Sequence, residues 1–248
     1  MLACMSDPLA PLMELGGVAE AAKSAQDAVF AVHRLPANLR GGSATAAEAS
    51  VRAARASAAL DGADPDLPDD GVVADPVLAG SLRVAEATES LLPTWRRAPL
   101  QVLARMHVLA AADLTDDADA LGRPRSADGV AQRLELLAQL VTGATTVPGP
   151  VLTAVVHGEL LTLRPFGSAD GVLARAAARL AMIATGLDPK ALTVPEVACF
   201  RRQRRYEEAV QAFASGEPDG VRQWLLFCCE AFEAGAREAK GIADATGA

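Results

Sequence analysis

Between Pro150 and Leu163 the chain is apolar around most of a helical circumference. A helix of that kind has no face to offer water, so other elements must surround it. The rest of the chain supplies them. Apolar residues recur at steps of three and four almost from end to end, which is the helical period. No segment alternates at the strand period for long enough to build a sheet. The expected fold class is therefore all-α, with at most a short β-hairpin in residues 116–126.

Composition agrees with this. Apolar residues make up 51% of the 248, and aromatics only 4%, so the apolar share is mostly Ala, Leu and Val. Ala and Leu favour helices, and small side chains suit their close packing. That apolar share excludes general disorder, and the length allows one large domain or one domain with an extension. A net charge of −8 and a pI near 5.0 argue against gripping nucleic-acid phosphates. They leave room for a small anion in a locally positive pocket. Arg201, Arg202, Arg204 and Arg205 form the one dense basic run and read as a solvated helix face. No uninterrupted apolar stretch reaches membrane-spanning length, and no membrane association is expected. The opening MLACMSDPLAPLM has no basic segment of the secretory kind. Cys4, Cys199, Cys228 and Cys229 lack metal-ligand spacing, and an adjacent pair is poorly placed for a disulfide. Reduced, buried thiols in a cytoplasmic protein are expected.

The punctuation gives the elements. A first helix is expected over about Leu15–His33, and a loop over Pro36–Ser43. Thr45 and Glu48 have the spacing of a capping box opening a helix to about Leu60, which Asp61-Gly62 stops. Residues 63–71 are rich in Asp and Pro and read as a loop. Asp75-Pro76 and Pro99 start the next two helices. Further helices are expected at about Asp128–Thr142, Pro150–Leu163, Gly171–Thr185, Pro195–Ala214 and Asp219–Ala243.

The one site-like feature is the run from Leu163 to Arg175, which reads Leu-Arg-Pro-Phe-Gly-Ser-Ala-Asp-Gly-Val-Leu-Ala-Arg. A buried helix ends, a loop with Gly167 and Gly171 follows, and an Ala-rich helix begins. Free N–H groups at a helix start favour an anion, and glycines let a ligand approach the backbone. Arg164 and Arg175 flank the loop with positive charge.

The order of these residues resembles the Fic (Fido) signature His-x-Phe-x-Asp/Glu-Gly-Asn-Gly-Arg-x-x-Arg, often with Pro second. Aligned without gaps, Pro165, Phe166, Gly171 and Arg175 match. Arg164 falls on the His, Ser168 on the acid, Ala169 on the first Gly, Asp170 on the Asn and Val172 on the first Arg. Three further features resemble the family in the right order. His157 stands seven residues before the signature position. Leu121-Gly122-Arg123-Pro124-Arg125 resembles the Gly/Arg flap. Ser57-Ala58-Ala59-Leu60-Asp61-Gly62 resembles the inhibitory motif Ser/Thr-x-x-x-Glu-Gly/Asn, with Asp for Glu.

The resemblance implies a Fic-type helical bundle with an N-terminal helical extension. It divides the chain into a region over 1–97 carrying the inhibitory-like motif at 57–62, and a core with C-terminal helices over 98–248. It implies AMP transfer to a protein hydroxyl with ATP and Mg²⁺ as cofactors. It places a nucleotide or anion at Arg164, Phe166, Gly167, Ala169, Asp170, Gly171 and Arg175. Ser57, Asp61 and Gly62 then stand at the inhibitory positions, Gly122 and Arg123 in the flap, and Asp61 should contact Arg175 directly or through water.

The substitutions oppose that activity. Arg164 stays protonated and cannot act as a base, and a placed base contributes roughly two to four orders of magnitude in rate. Ser168 brings no negative charge for a hard cation, Val172 removes a phosphate clamp, and Ala169 adds a methyl group where the backbone should meet the ligand. His107 and His157 lie on apolar faces and read as packed, hydrogen-bonded histidines. The expectation is a catalytically impaired pseudoenzyme, acting as a nucleotide- or anion-binding or regulatory protein-interaction module. Its alternative is an active phosphate-group or nucleotidyl transferase with altered chemistry, using Asp170 and Mg²⁺. A third reading is a helical partner protein whose pocket Phe166 and Val172 pack shut.

Overall fold

The computed structural model describes residues 7–39, 42–68 and 71–246. Cys4 and the rest of the opening MLACMS segment lie outside them. The helices run α1 Val18–His33, α2 Pro36–Leu39, α3 Ser43–Leu60, α4 Pro76–Trp95, α5 Pro99–Ala111, α6 Val130–Gln139, α7 Gly149–Leu163, α8 Asp170–Ala184, α9 Pro195–Arg201, α10 Gln203–Ala214 and α11 Pro218–Thr246. A 3-10 turn, Ala10–Glu14, precedes α1, and a π-helical turn, Leu140–Ala144, follows α6. No strand occurs among the described residues, so 116–126 forms no hairpin. None of these helices is long and apolar enough to cross a membrane.

The all-round apolarity of α7 has a simple cause: it lies between two cores. Val151, Ala154 and Val155 join a cluster with α1, α9, α10 and α11. Leu152, Val156, Leu160 and Leu163 join a second cluster with α4, α5, α6 and α8. Val18, Ala22, Ala25, Val29 and Val32 of α1 pack in the first, so the N-terminal helix shares its core with the C-terminal helices. Gly158 makes the crossing with the C-terminal helices feasible. A Cβ there would lie 2.7 Å from the Trp224 indole nitrogen and 2.8 Å from the Phe213 ring. Trp224 donates its indole N–H to the Ala154 carbonyl at 2.8 Å.

Several local expectations meet the structure directly. The Asp75 side chain accepts from the amides of Val77 and Leu78 at 2.9 and 2.8 Å and so caps α4. Gly62 leaves α3 with φ 93°. Three expectations need correction. Pro36–Leu39 forms a helical turn inside the expected loop. The capping box is not used: α3 starts at Ser43, the left-handed Gly42 precedes it without a side-chain cap, and Glu48 pairs with Arg52 at 2.6 Å. The expected Pro195–Ala214 helix is two helices, because Arg202 leaves helical dihedrals (φ −122°, ψ 37°). That break divides the basic run, whose members pair with carboxylates. Arg201 meets Glu238, Arg202 and Arg205 meet Glu230, and Arg204 meets Glu208. The remaining histidine, His33, ties α1 to Asp188 in the α8–α9 connection at 2.8 Å.

Candidate functional site at the head of helix α8

Helix α7 ends in a left-handed residue, Arg164 (φ 46°, ψ 61°), whose side chain is exposed. A second left-handed residue, Ala169, leads into α8. The loop between them folds back on Asp170. Its Oδ1 accepts from the Phe166 amide at 3.0 Å, and its Oδ2 from the Gly167 amide at 2.7 Å. Asp170 is only 5% exposed. Burial pushes its pKa up, against the two amides and the charges of Arg164 and Arg125. An acid in the first turn of α8 also suits the positive end of the helix dipole.

The end of α3 closes the other side. Asp61 Oδ1 pairs with Arg175 Nη2 at 2.7 Å, and Oδ2 accepts from the Val172 amide at 3.0 Å. Arg175 also donates from Nε to Ser57 Oγ at 2.8 Å and from Nη2 to the Ser57 carbonyl at 2.9 Å. The expected Asp61–Arg175 contact is thus present, and it is direct. Gly171 makes the shorter acid sufficient, because a Cβ at that position would overlap the Asp61 carboxylate. Burial works against the charge of Arg175, but the Tyr206 hydroxyl and Asp61 more than offset it and move its pKa upward. Tyr206 in turn meets His157 Nε2 at 2.9 Å. Burial, aided by the charge of Arg175, pushes His157 down to about 3, so its imidazole is neutral.

The flap segment holds the loop from a third side, though through other residues than expected. Gly122 does take part: its amide donates to His107 Nδ1 at 2.9 Å. Arg123 does not; it is exposed and faces Asp119 at 3.5 Å. Arg125 takes the central place. Its amide donates to the Pro165 carbonyl at 2.7 Å, and its guanidinium to the carbonyls of Arg164 and Leu163 at 2.7 and 2.9 Å. It thereby satisfies acceptors that the end of α7 leaves open. The His107 ring stacks on Phe166 at 4.3 Å, and its Nε2 lies 3.0 Å from Ser168 Oγ. Because Nδ1 accepts the Gly122 N–H, the ring proton sits on Nε2 and is donated to Ser168. Held this way, His107 cannot take a proton from Ser168, and the pair is no nucleophile–base dyad.

The chain resembles solved Fic proteins over most of its length. A Fic family protein from Desulfovibrio desulfuricans G20 superposes with a TM-score of 0.72 at 19% identity, covering 91% of this chain and 74% of the other. Fic-1 from C. elegans (residues 134–508) superposes with a TM-score of 0.74 at 17% identity, covering 95% and 75%. The chain has the Fic fold. No protein-family model matches the sequence, and no curated protein does either.

Four donors around the loop, the amides of Phe166, Gly167 and Val172 and the guanidinium of Arg175, each meet an oxygen of the protein. Asp170 is turned into the loop, and the described residues contain no cluster of three or more His, Cys, Asp or Glu side chains able to hold a metal. Tyr206 is a contributor that the sequence reading passed over; Arg125 stood in the flap segment without a role of its own, and His107 is the packed, hydrogen-bonded histidine that was expected. Tyr206 is the single tyrosine of the chain, and Arg125 stands two residues beyond the flap arginine that was expected.

Proposed function

We propose that this Fic-fold protein does not transfer nucleotides and acts as a regulatory, protein-binding module whose anion position is held by its own Asp61. One observation carries the reading. The Asp61 carboxylate sits on the Val172 amide and Arg175, two donors at a helix head that suit a phosphate oxygen. The protein supplies the anion from α3. Two further features support a silent site. Arg164 stands where the resemblance asks for a base and cannot accept a proton. Phe166 and Val172 are packed into the core at 9% and 2% exposure. The three described cysteines are unpaired and buried, which supports placing the protein in the cytoplasm.

Calorimetry with ATP, ADP and AMP, with and without Mg²⁺, tests the reading alongside transfer of labelled AMP into lysate proteins. The expected result is no transfer, no Mg²⁺ dependence, and nucleotide affinity that rises at least about tenfold, about 1.4 kcal/mol, in Asp61→Ala. Labelled product formed by the unaltered protein would overturn it.

A further inference from the structure

The fold bends the one dense basic run of the sequence, Arg201 to Arg205. Helix α9 ends at Arg201, and Arg202 leaves helical dihedrals before α10 begins. Arg201 and Arg202 thereby come beside α11, where Arg237 joins them along the wall of one cavity of about 320 Å³. Arg204 and Arg205 take no part in it. The floor is apolar: Val194 and Ala198 are buried, and Ala234 is partly buried. At one end the Val194 amide donates to the Gly235 carbonyl at 3.3 Å and ties the start of α9 to α11.

Three guanidiniums thus line the cavity against one carboxylate, Glu238. That carboxylate is already shared. Its Oε1 accepts from Arg52 Nη1 at 2.7 Å and its Oε2 from Arg201 Nη1 at 3.1 Å. Glu230 is shared likewise, between Arg202 at 3.2 Å and Arg205 at 2.7 Å. Arg237 reaches Glu233 only at 4.0 Å, beyond hydrogen-bond distance, and Glu233 accepts from Ser24 Oγ at 2.7 Å. A guanidinium carries five N–H donors. Among the described residues Arg201 and Arg202 each give a single one to a carboxylate, and Arg237 gives none. The side chains of Arg201 and Arg237 are 68% and 70% exposed, so their ion pairs are weak and readily exchanged. In a chain of net charge −8, cations here outnumber the acids that face them.

We propose that this cavity binds a small phosphate monoester with a short aliphatic body. Its phosphoryl group carries a charge of about −2 and three acceptor oxygens at neutral pH. These meet the guanidiniums of Arg201, Arg202 and Arg237, whose planar forks match phosphate geometry. The aliphatic body lies on Val194, Ala198 and Ala234. The cavity shares no residue with the Asp61, Val172 and Arg175 arrangement at the head of α8, so the two readings fail separately.

Calorimetry on the full chain at low salt provides the test. The probes are inorganic phosphate, the methyl, isopropyl and butyl phosphates, and isopropyl sulfate. At least one ester should bind saturably and more tightly than inorganic phosphate. Isopropyl phosphate should bind at least about tenfold more tightly than the singly charged sulfate, and its affinity should fall below about pH 6, where the ester takes up a second proton. Arg237→Gln should weaken ester binding at least about tenfold. Arg204→Gln, in the same run but outside the cavity, should leave it unchanged. Both arginines are exposed, so neither change disturbs folding. No saturable binding by any ester overturns the proposal. So does sulfate binding as tight as that of the ester, inorganic phosphate binding as tight as that of every ester, or an equal loss in the two arginine variants, which is the mark of long-range surface charge.

Discussion

The two ends of α8 differ in how particular donors are met. At its head, the Phe166 and Gly167 amides meet Asp170, the Val172 amide meets Asp61, and Arg175 meets Ser57 and Asp61. At its tail, among the described residues, the buried Trp95 Nε1 has no hydrogen-bond partner and Arg96 has no acid partner. The head is where the sequence resembles a nucleotide-transfer loop, yet there the protein has placed its own carboxylates. The tail carries no motif, yet there a buried indole N–H is left without a hydrogen-bond partner. Motif order marks where the resemblance puts a site, while hydrogen bonding bears on what is left there for a ligand.

The strongest way to break this contrast is to remove Arg175. Its side chain is 2% exposed and pairs with Asp61, which is 25% exposed. Removing one partner of a buried pair leaves the other uncompensated, so Arg175→Met should cost about 3–5 kcal/mol in chemical denaturation. A loss under about 1 kcal/mol would mean that Asp61 escapes freely to water, and the head of α8 is then not closed.

The next effect is read by pH, one residue behind Tyr206. His157 titrates near 3 in the native protein and near 6.5 when unfolded. Between those values the unfolded chain holds the proton and the native one does not. Stability therefore rises with pH across that window, by about 1.4 kcal/mol per unit from this group, and levels off above about 6.5. His157→Gln keeps a polar partner for Tyr206 and should flatten that slope, measured as the difference from the parent in urea melts from pH 4.5 to 7.5. Parallel slopes in the two proteins would show that the imidazole charges in place, and that the buried line from His157 through Tyr206 to Arg175 is open to water.

Much of this was legible in the residues. The all-round apolarity of residues 150–163 announced a central helix because composition alone records how many sides of a helix are covered. The Ser57, Asp61 and Arg175 constellation was legible because the motif spacing survives, and the pair forms although Asp replaces Glu. Other features depend on where chain segments meet, which spacing does not encode. The break at Arg202 follows from backbone dihedrals in a run that reads as helical throughout. Arg125 displaces Arg123 as the flap residue at the loop because a backbone bond to Pro165 sets the register. The capture of the loop amides by Asp170 could not be foreseen either, since an aspartate at a helix start reads equally well as a metal ligand or as a backbone acceptor.

Gly171 tests the contrast at a single atom. A methyl group there would overlap the Asp61 carboxylate. Gly171 is helical, with no positive φ to relieve, so the overlap is the main cost. Gly171→Ala should therefore lower stability by about 1–3 kcal/mol, and withdrawal of Asp61 should expose the Val172 amide to faster hydrogen exchange. If the variant is destabilised but Val172 stays protected, the helix has shifted with Asp61 and the closed head is a rigid unit.

The smallest effect is expected at the tail. Arg96 is exposed and in no ion pair among the described residues, so Arg96→Gln should change stability by no more than about 0.5 kcal/mol. Its one structural credit is a cation at the C-terminus of α4, an interaction of about 0.3–1 kcal/mol that salt screens. Melts of the parent and Arg96→Gln at low and high salt separate the cases. A small difference that vanishes in salt assigns Arg96 to the helix end alone. A salt-insensitive loss above about 1 kcal/mol would mean that Arg96 is held by the protein as Arg175 is, and the two ends of α8 would no longer differ in kind.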